Sequence, residues 1–222
     1  MPITHDEFDA RFAEYRHHLR EEVLRFRGYV AVYRQIQARK VDHLTALNLA
    51  CAFFQVVESS LFTSIVLWAD KLFDERGERG FFNFLKFVEL NRMWLCVAEL
   101  QQRRNYPDGH WMLANRKEIT FETIEADRER IRALDGLKSF RLRRDKFHGH
   151  FDKQYFFDRS KIAVEAPIRW SDLDDAGTVM GQIIDDYSTD FDGTFYAWDA
   201  LNIDDLKILL NHADRSVSKK AG

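Results

Sequence analysis

The sequence predicts an all-α protein, an antiparallel up-and-down bundle of four or five main helices. Three observations carry this. Only 3 Pro and 10 Gly occur in 222 residues, and few turn-forming residues mean few, long elements. Sandwiches, propellers and many-stranded α/β sheets need a turn signal every 8–12 residues or so. Apolar residues recur at spacings of three and four along most of the chain, the signature of amphipathic helices. With 19 Phe, there is ample bulk for a core. The expected organisation is one domain over residues 1–215 and a disordered tail over 216–222.

Thr4 and Glu7 form a capping box that opens the first helix. Phe8, Phe12, Tyr15, Leu19, Val23 and Phe26 then follow at helical spacing. Gly28 is a possible bend before the pattern resumes to about residue 38. From about 41 to 74 breakers are scarce and apolar residues cover more than one face, which predicts a central buried helix. Residues 74–80 read as a loop. Residues 81–102 return to helical spacing, with Asn91 as a possible break, and 105–109 form a turn. A charged helix is expected from Thr120 to about His148, kinked at Asp135-Gly136, with Gly149 as its C′ residue. Residues 150–170 read as irregular, with short extended pieces at 154–157 and 161–166. Ser171 is the expected N-cap of a helix over about 172–190, whose first turn holds Asp172, Asp174 and Asp175. Asn202 should open a last short helix to about His212.

The N-terminal residues carry no apolar signal segment. The apolar stretches are interrupted by charged or polar residues, so no membrane span is expected. Cys51 and Cys96 read as two buried free thiols of a cytoplasmic protein. His17 and His18 read as part of a polar helix face, and the five Trp mostly as packing residues.

Net charge is −3, which taken whole argues against a polyanion partner. The average hides an uneven distribution. Residues 138–153 hold six Lys or Arg against two Asp, whereas 172–192 hold seven Asp and no Lys or Arg. A solvated helix face is the plain reading of each run. His148-Gly149-His150-Phe151-Asp152 has the H-x-H-x-D form of some metallohydrolases. That motif belongs to β-rich folds, however, and Arg144 and Lys146 would repel a dication. No metal ligand and no cofactor is therefore assigned.

The segment Arg144-Asp145-Lys146-Phe147-His148-Gly149-His150 resembles the R-[polar]-x4–6-H signature of HEPN domains, and most of all the AbiU-type abortive-infection branch. The context agrees in kind. A long apolar helix ends Trp68-Ala69-Asp70-Lys71-Leu72-Phe73-Asp74, the Phe-rich 81–85 follows, and Trp170-Ser171 opens a late helix. The resemblance spans roughly residues 40–190. It implies a HEPN-like bundle and a homodimer whose two motifs share one cleft. It also implies a metal-independent endoribonuclease of a defence or toxin–antitoxin system, with RNA as substrate and an antitoxin or other regulatory protein as possible partner. The alternative is a non-catalytic HEPN-like module that binds RNA or protein.

These residue types suit that chemistry. Cleavage of RNA by its own 2′-OH needs a base, an acid and positive charge at the phosphorane. Histidine supplies the first two near neutral pH, and the arginine fork matches phosphate. The family spacing pairs Arg144 with His150, with Asp145 orienting either one and His148 as a second acid–base group. On an ideal helix Arg144 instead touches His148, and Arg143 with His148 is a further pairing. Arg141, Arg143, Lys146 and Lys153 are the expected RNA-binding cations. The family's regulatory Tyr, two places after the His, is replaced here by Asp152, which argues against regulation by nucleotide transfer.

Overall fold

The computed structural model describes residues 3–114, 116–149, 152–199 and 205–220, the last three of these as backbone only. Among the described residues there are helices and loops and no strand, as the punctuation and periodicity predict.

Helix α1 (His5–Arg39) opens on the expected Thr4–Glu7 capping box and passes Gly28 without a break. Its buried stripe is Phe8, Phe12, Leu19, Val23, Phe26, Val30 and Ile36. The expected single helix over 41–74 is divided. Helix α2 (Leu44–Asn48) ends at a short turn before α3 (Cys51–Leu72). The expectation that this segment is the central buried helix does not hold. Only the C-terminal half of α3 is buried, at Ile65, Val66, Ala69, Asp70 and Leu72, whereas Phe53 and Val56 are 62% and 64% exposed. By length and composition alone α3 is apolar enough to cross a membrane. It nonetheless carries Glu58, which pairs with Lys40, and Asp70, which pairs with Arg144.

Helix α4 (Phe81–Asn91) stops at Asn91 as expected. A 3₁₀ turn (Arg92–Leu95) and α5 (Val97–Arg104) follow. The charged segment after Thr120 divides at the Asp135-Gly136 step into α6 (Phe121–Arg132) and α7 (Leu137–Arg143). Gly136 is required there, because a Cβ would lie 2.7 Å from the Asp172 Cβ. The extended pieces expected after the motif are short helices instead, α8 (Lys153–Phe157) and α9 (Ser160–Glu165).

The central helix is α10 (Trp170–Asp192). It buries Leu173, Ala176, Met180, Ile183, Ile184, Tyr187 and Phe191 against α1, α5 and α6. It starts one residue before Ser171, and its N-cap is Arg169, whose backbone N–H donates to the Asp172 carboxylate at 2.7 Å. The face stacking of Phe12 on Phe191 (centroids 4.3 Å apart) and of Phe8 on Phe87 (5.3 Å) ties α1 to α10 and α4. Each such ring contributes about 1.5–3 kcal/mol by leaving water.

The acidic run is not a simple solvated face. Asp172 and Asp185 are buried, and Asp185 accepts from Tyr196 N and Trp198 Nε1. Asp174, Asp190 and Asp192 pair with Arg34, Arg116 and Arg16. Helix α11 (Asp205–Lys220) packs on α2, so the expected tail continues as helix to Lys220. Asn202, its expected opening residue, lies outside the described residues. Cys51 is exposed rather than buried, and Cys96 is half-buried.

Candidate functional site

The basic cluster folds as the end of α7 and a widened turn. From Arg144 to His148 the backbone is π-helical, closed by Gly149 N–H donating to the Arg144 carbonyl at 2.7 Å. Single π turns inside helices are rare and occur often at functional sites. Gly149 is not the left-handed C′ residue expected: its φ is −90°. Its necessity is steric. A Cβ there would sit 2.8 Å from the Arg144 carbonyl oxygen, so the tight closing bond admits only glycine.

The two adjacent arginines face opposite ways. Arg144 ends half-exposed between two carboxylates, with Nη1 2.6 Å from Asp70 and Nε 2.8 Å from Asp145. Its Nη2 makes no hydrogen bond among the described residues. Asp145 thus orients the arginine, one of its two expected partners. Arg143, expected among the RNA-binding cations, is turned inward and 7% exposed. Its Nε donates to the Ala166 carbonyl at 2.6 Å, and its guanidinium lies 5.2 Å from the Phe62 ring centroid. That bond and a second, from Nη2 to the Ile162 carbonyl at 3.4 Å, go to the α9 end, where a cation satisfies carbonyls that the helix leaves unpaired. Side chains one residue apart on a helix diverge by about 100°, which separates the roles of these neighbours.

His148 is half-buried among Phe62 (centroids 6.3 Å) and Phe147 (5.1 Å). Its Nε2 is buried without a hydrogen-bond partner among the described residues. Burial, with the Arg143 charge adding to it, pushes its pKa down to about 4. At neutral pH it is an imidazole that accepts a proton and not an imidazolium that donates one. His150, the family-spaced partner of Arg144, lies outside the described residues. Arg141 is part-exposed, with Nε 3.9 Å from Asp70. Lys146 reaches Asp152 at 3.4 Å, and Asp152 also caps α8. Lys153 is exposed. The cluster's positive charge is therefore largely compensated within the chain.

Asp70 is the site residue that the sequence reading passed over. It is 1% exposed, on the buried stripe of α3. Burial pushes its carboxyl up, against the opposing pull of Arg144 and Arg141. Its second oxygen has no hydrogen-bond partner among the described residues. The signal was present: a lone carboxylate in line with Ile65, Val66, Ala69 and Leu72 must find a cation. Its partner was not legible, because the two lie 74 positions apart.

The site is thus a half-exposed arginine gripped by two carboxylates at a π turn, with a neutral histidine on the Arg143 and Phe62 side of that turn. The AbiU2 family of HEPN domains matches residues 9–210. The chain belongs to that family. No curated protein and no solved structure matches the chain. The AbiU2 match runs from within α1 to the first turns of α11 and includes every residue of the cluster. The bundle is accordingly an abortive-infection HEPN domain.

Proposed function

We propose that the chain is a metal-independent endoribonuclease of a cellular defence or toxin–antitoxin system, acting in the cytoplasm as a homodimer. One observation carries this reading: Arg144 is fixed by Asp70 at Nη1 and by Asp145 at Nε, which leaves Nη2 to donate to a ligand. An arginine held in this way is pre-organised for a phosphate oxygen, which lowers the cost of ordering it on binding. His148, on the Arg143 side of the turn, is neutral at pH 7 and can take the 2′-OH proton, but a pKa held near 4 makes it a weak base. His150 suits protonation of the leaving 5′-oxygen. Arg141 and Lys153 would steer the RNA backbone.

The two-copy arrangement is supported by α3. Its C-terminal half packs against α7 and the π turn, and its N-terminal half exposes Phe53 and Val56. An exposed apolar patch on the helix that also carries Asp70 marks a protein surface, and a second copy meeting it would place the two motifs on one assembly.

The test is incubation of purified protein with RNA in EDTA. Cleavage should persist in chelator and fall at least a hundredfold in Arg144→Lys, which keeps the charge and loses the fork, and in His150→Ala. Cleavage that needs metal, or survives both changes, removes the reading.

A second reading is favoured by charge compensation. Arg143 is buried, Arg144 is doubly paired and Lys146 faces Asp152. A non-catalytic module that binds RNA or a protein partner needs no free acid or base. It predicts salt-sensitive RNA binding without cleavage.

A further inference from the structure

The face of α1 turned away from the core carries a group of side chains that the proposed chemistry does not use. His17, His18 and Glu21 are all exposed, and one donor atom from each lies within 4.8 Å of the other two. His17 Nε2 and Glu21 Oε1 are 3.4 Å apart. Two ligands bonded to one tetrahedral zinc at about 2.1 Å are themselves separated by about 3.4 Å. The spacing i, i+4 is also the one that places two metal-binding side chains on one helix face. The His18 ring lies against His17, with centroids 5.2 Å apart and planes at 59°.

The charges around the three donors are mixed. Arg16 and Arg20, the nearest cations in sequence, are engaged elsewhere: Arg16 is 2.8 Å from Asp192, and Arg20 lies 4.8 Å from the Tyr196 ring centroid. His18 also lines a cleft of about 840 Å³ between α1, the end of α3 and the 74–80 loop, where Glu14 and Glu22 stand one turn to either side of it. Glu14 adds negative potential next to the three donors, whereas Glu22 is paired with Arg25 at 2.9 Å and the cleft also carries Arg11, Lys71 and Arg79.

We propose that His17, His18 and Glu21 form a surface site for a divalent transition-metal ion of the zinc class, with the fourth position open to solvent at the cleft mouth. Two imidazoles and one carboxylate select zinc, nickel or copper over magnesium and calcium, which prefer all-oxygen sets. The site lies on α1, which carries no residue of the R-D-K turn, and it stands or falls independently of nuclease activity.

The experiment is calorimetric titration of the full, tag-free chain with zinc chloride, and separately with magnesium chloride. Cobalt serves as a visible-absorption probe of imidazole coordination. One zinc per chain is expected in the micromolar range. His17→Ala, His18→Ala and Glu21→Ala should each weaken it at least about tenfold, since even residues that only support a ligand cost that much. The cobalt band should fade in the same variants. All three positions are exposed, so the variants should keep the parent's helical circular dichroism. No saturable binding below about 1 mM, a weak regime of about −4 kcal/mol, overturns the proposal. So does unchanged affinity in any one variant, or magnesium binding as tight as zinc.

Discussion

At Arg144 and Asp70 the two halves of one ion pair sit in unlike surroundings. Asp70 is all but sealed from solvent, while Arg144 keeps about a third of its side-chain surface and has Asp145 as a second partner. Removing the arginine strands a buried carboxylate. Removing the carboxylate leaves a cation that can turn to water. Arg144→Ala should therefore lower stability by about 2–3 kcal/mol, and Asp70→Asn by only about 1 kcal/mol. The double variant should recover part of the larger loss. Urea unfolding of the three variants measures this directly, and equal losses would contradict the asymmetry.

His148 yields a pH prediction of definite sign. Its pKa falls from 6.5 to about 4 on folding. Between those values the unfolded chain binds a proton that the native chain does not, so stability rises with pH across that window. The contribution is fully present above about pH 6.5 and is lost as pH falls toward 4. In His148→Gln that slope should be shallower by about one proton's worth, read from unfolding midpoints at pH 4.5, 5.5 and 6.5. Identical slopes would mean that His148 is as solvated in the native state as in the unfolded one.

Among the elements, the π turn and α9 answer to single residues. Gly149→Ala places a methyl group 2.8 Å from the Arg144 carbonyl oxygen, and backbone must move to admit it. A loss of about 1–3 kcal/mol is expected, together with displacement of Arg144 and a fall in any RNA cleavage. Arg143→Ala should cost about 1–3 kcal/mol by leaving the Ala166 carbonyl unsatisfied. Lys153→Ala should leave stability within about 0.5 kcal/mol. If Arg143 faced RNA instead, its loss would weaken binding and spare the fold.

These elements also show what the sequence makes legible. Thr4, Asn91 and Gly136 mark boundaries because each acts on chain within a few residues of itself, and the structure breaks or caps there. Burial is less legible. The apolar residues of 51–72 read as core on composition, yet half of that helix faces outward, since periodicity shows a face and not what covers it. The short helices α8 and α9 were missed because segments of five and six residues hold too little of a period to display one. At the site, the R-D-K segment stood out by its charge. The inward turn of Arg143 and the pairing of Arg144 with Asp70 depend on distant chain and left no local trace.

For the whole molecule, the exposed half of α3 is the feature with the clearest consequence for assembly. If two copies meet there, Phe53→Asp with Val56→Asp should shift the chain from dimer to monomer in light scattering while leaving helical content unchanged. Cleavage should fall with the dimer fraction if the cleft is shared. Binding of the parent chain to lipid vesicles, abolished by the same changes, would instead assign that face to a membrane.

The π turn has a bearing on comparison among relatives. A ring closed from residue i to i+5 contains one residue more than an α-helical ring. The turn therefore acts as a ruler with one spare division: a chain with four residues between its Arg and His on an α-helix and a chain with five across a π turn can hold the two side chains at similar separation. A range of permitted spacings in such a signature then describes one geometry written in two backbone dialects. Deleting a single residue between Arg144 and Gly149 here is an insertion in reverse, and should restore an ordinary helical turn instead of destroying it.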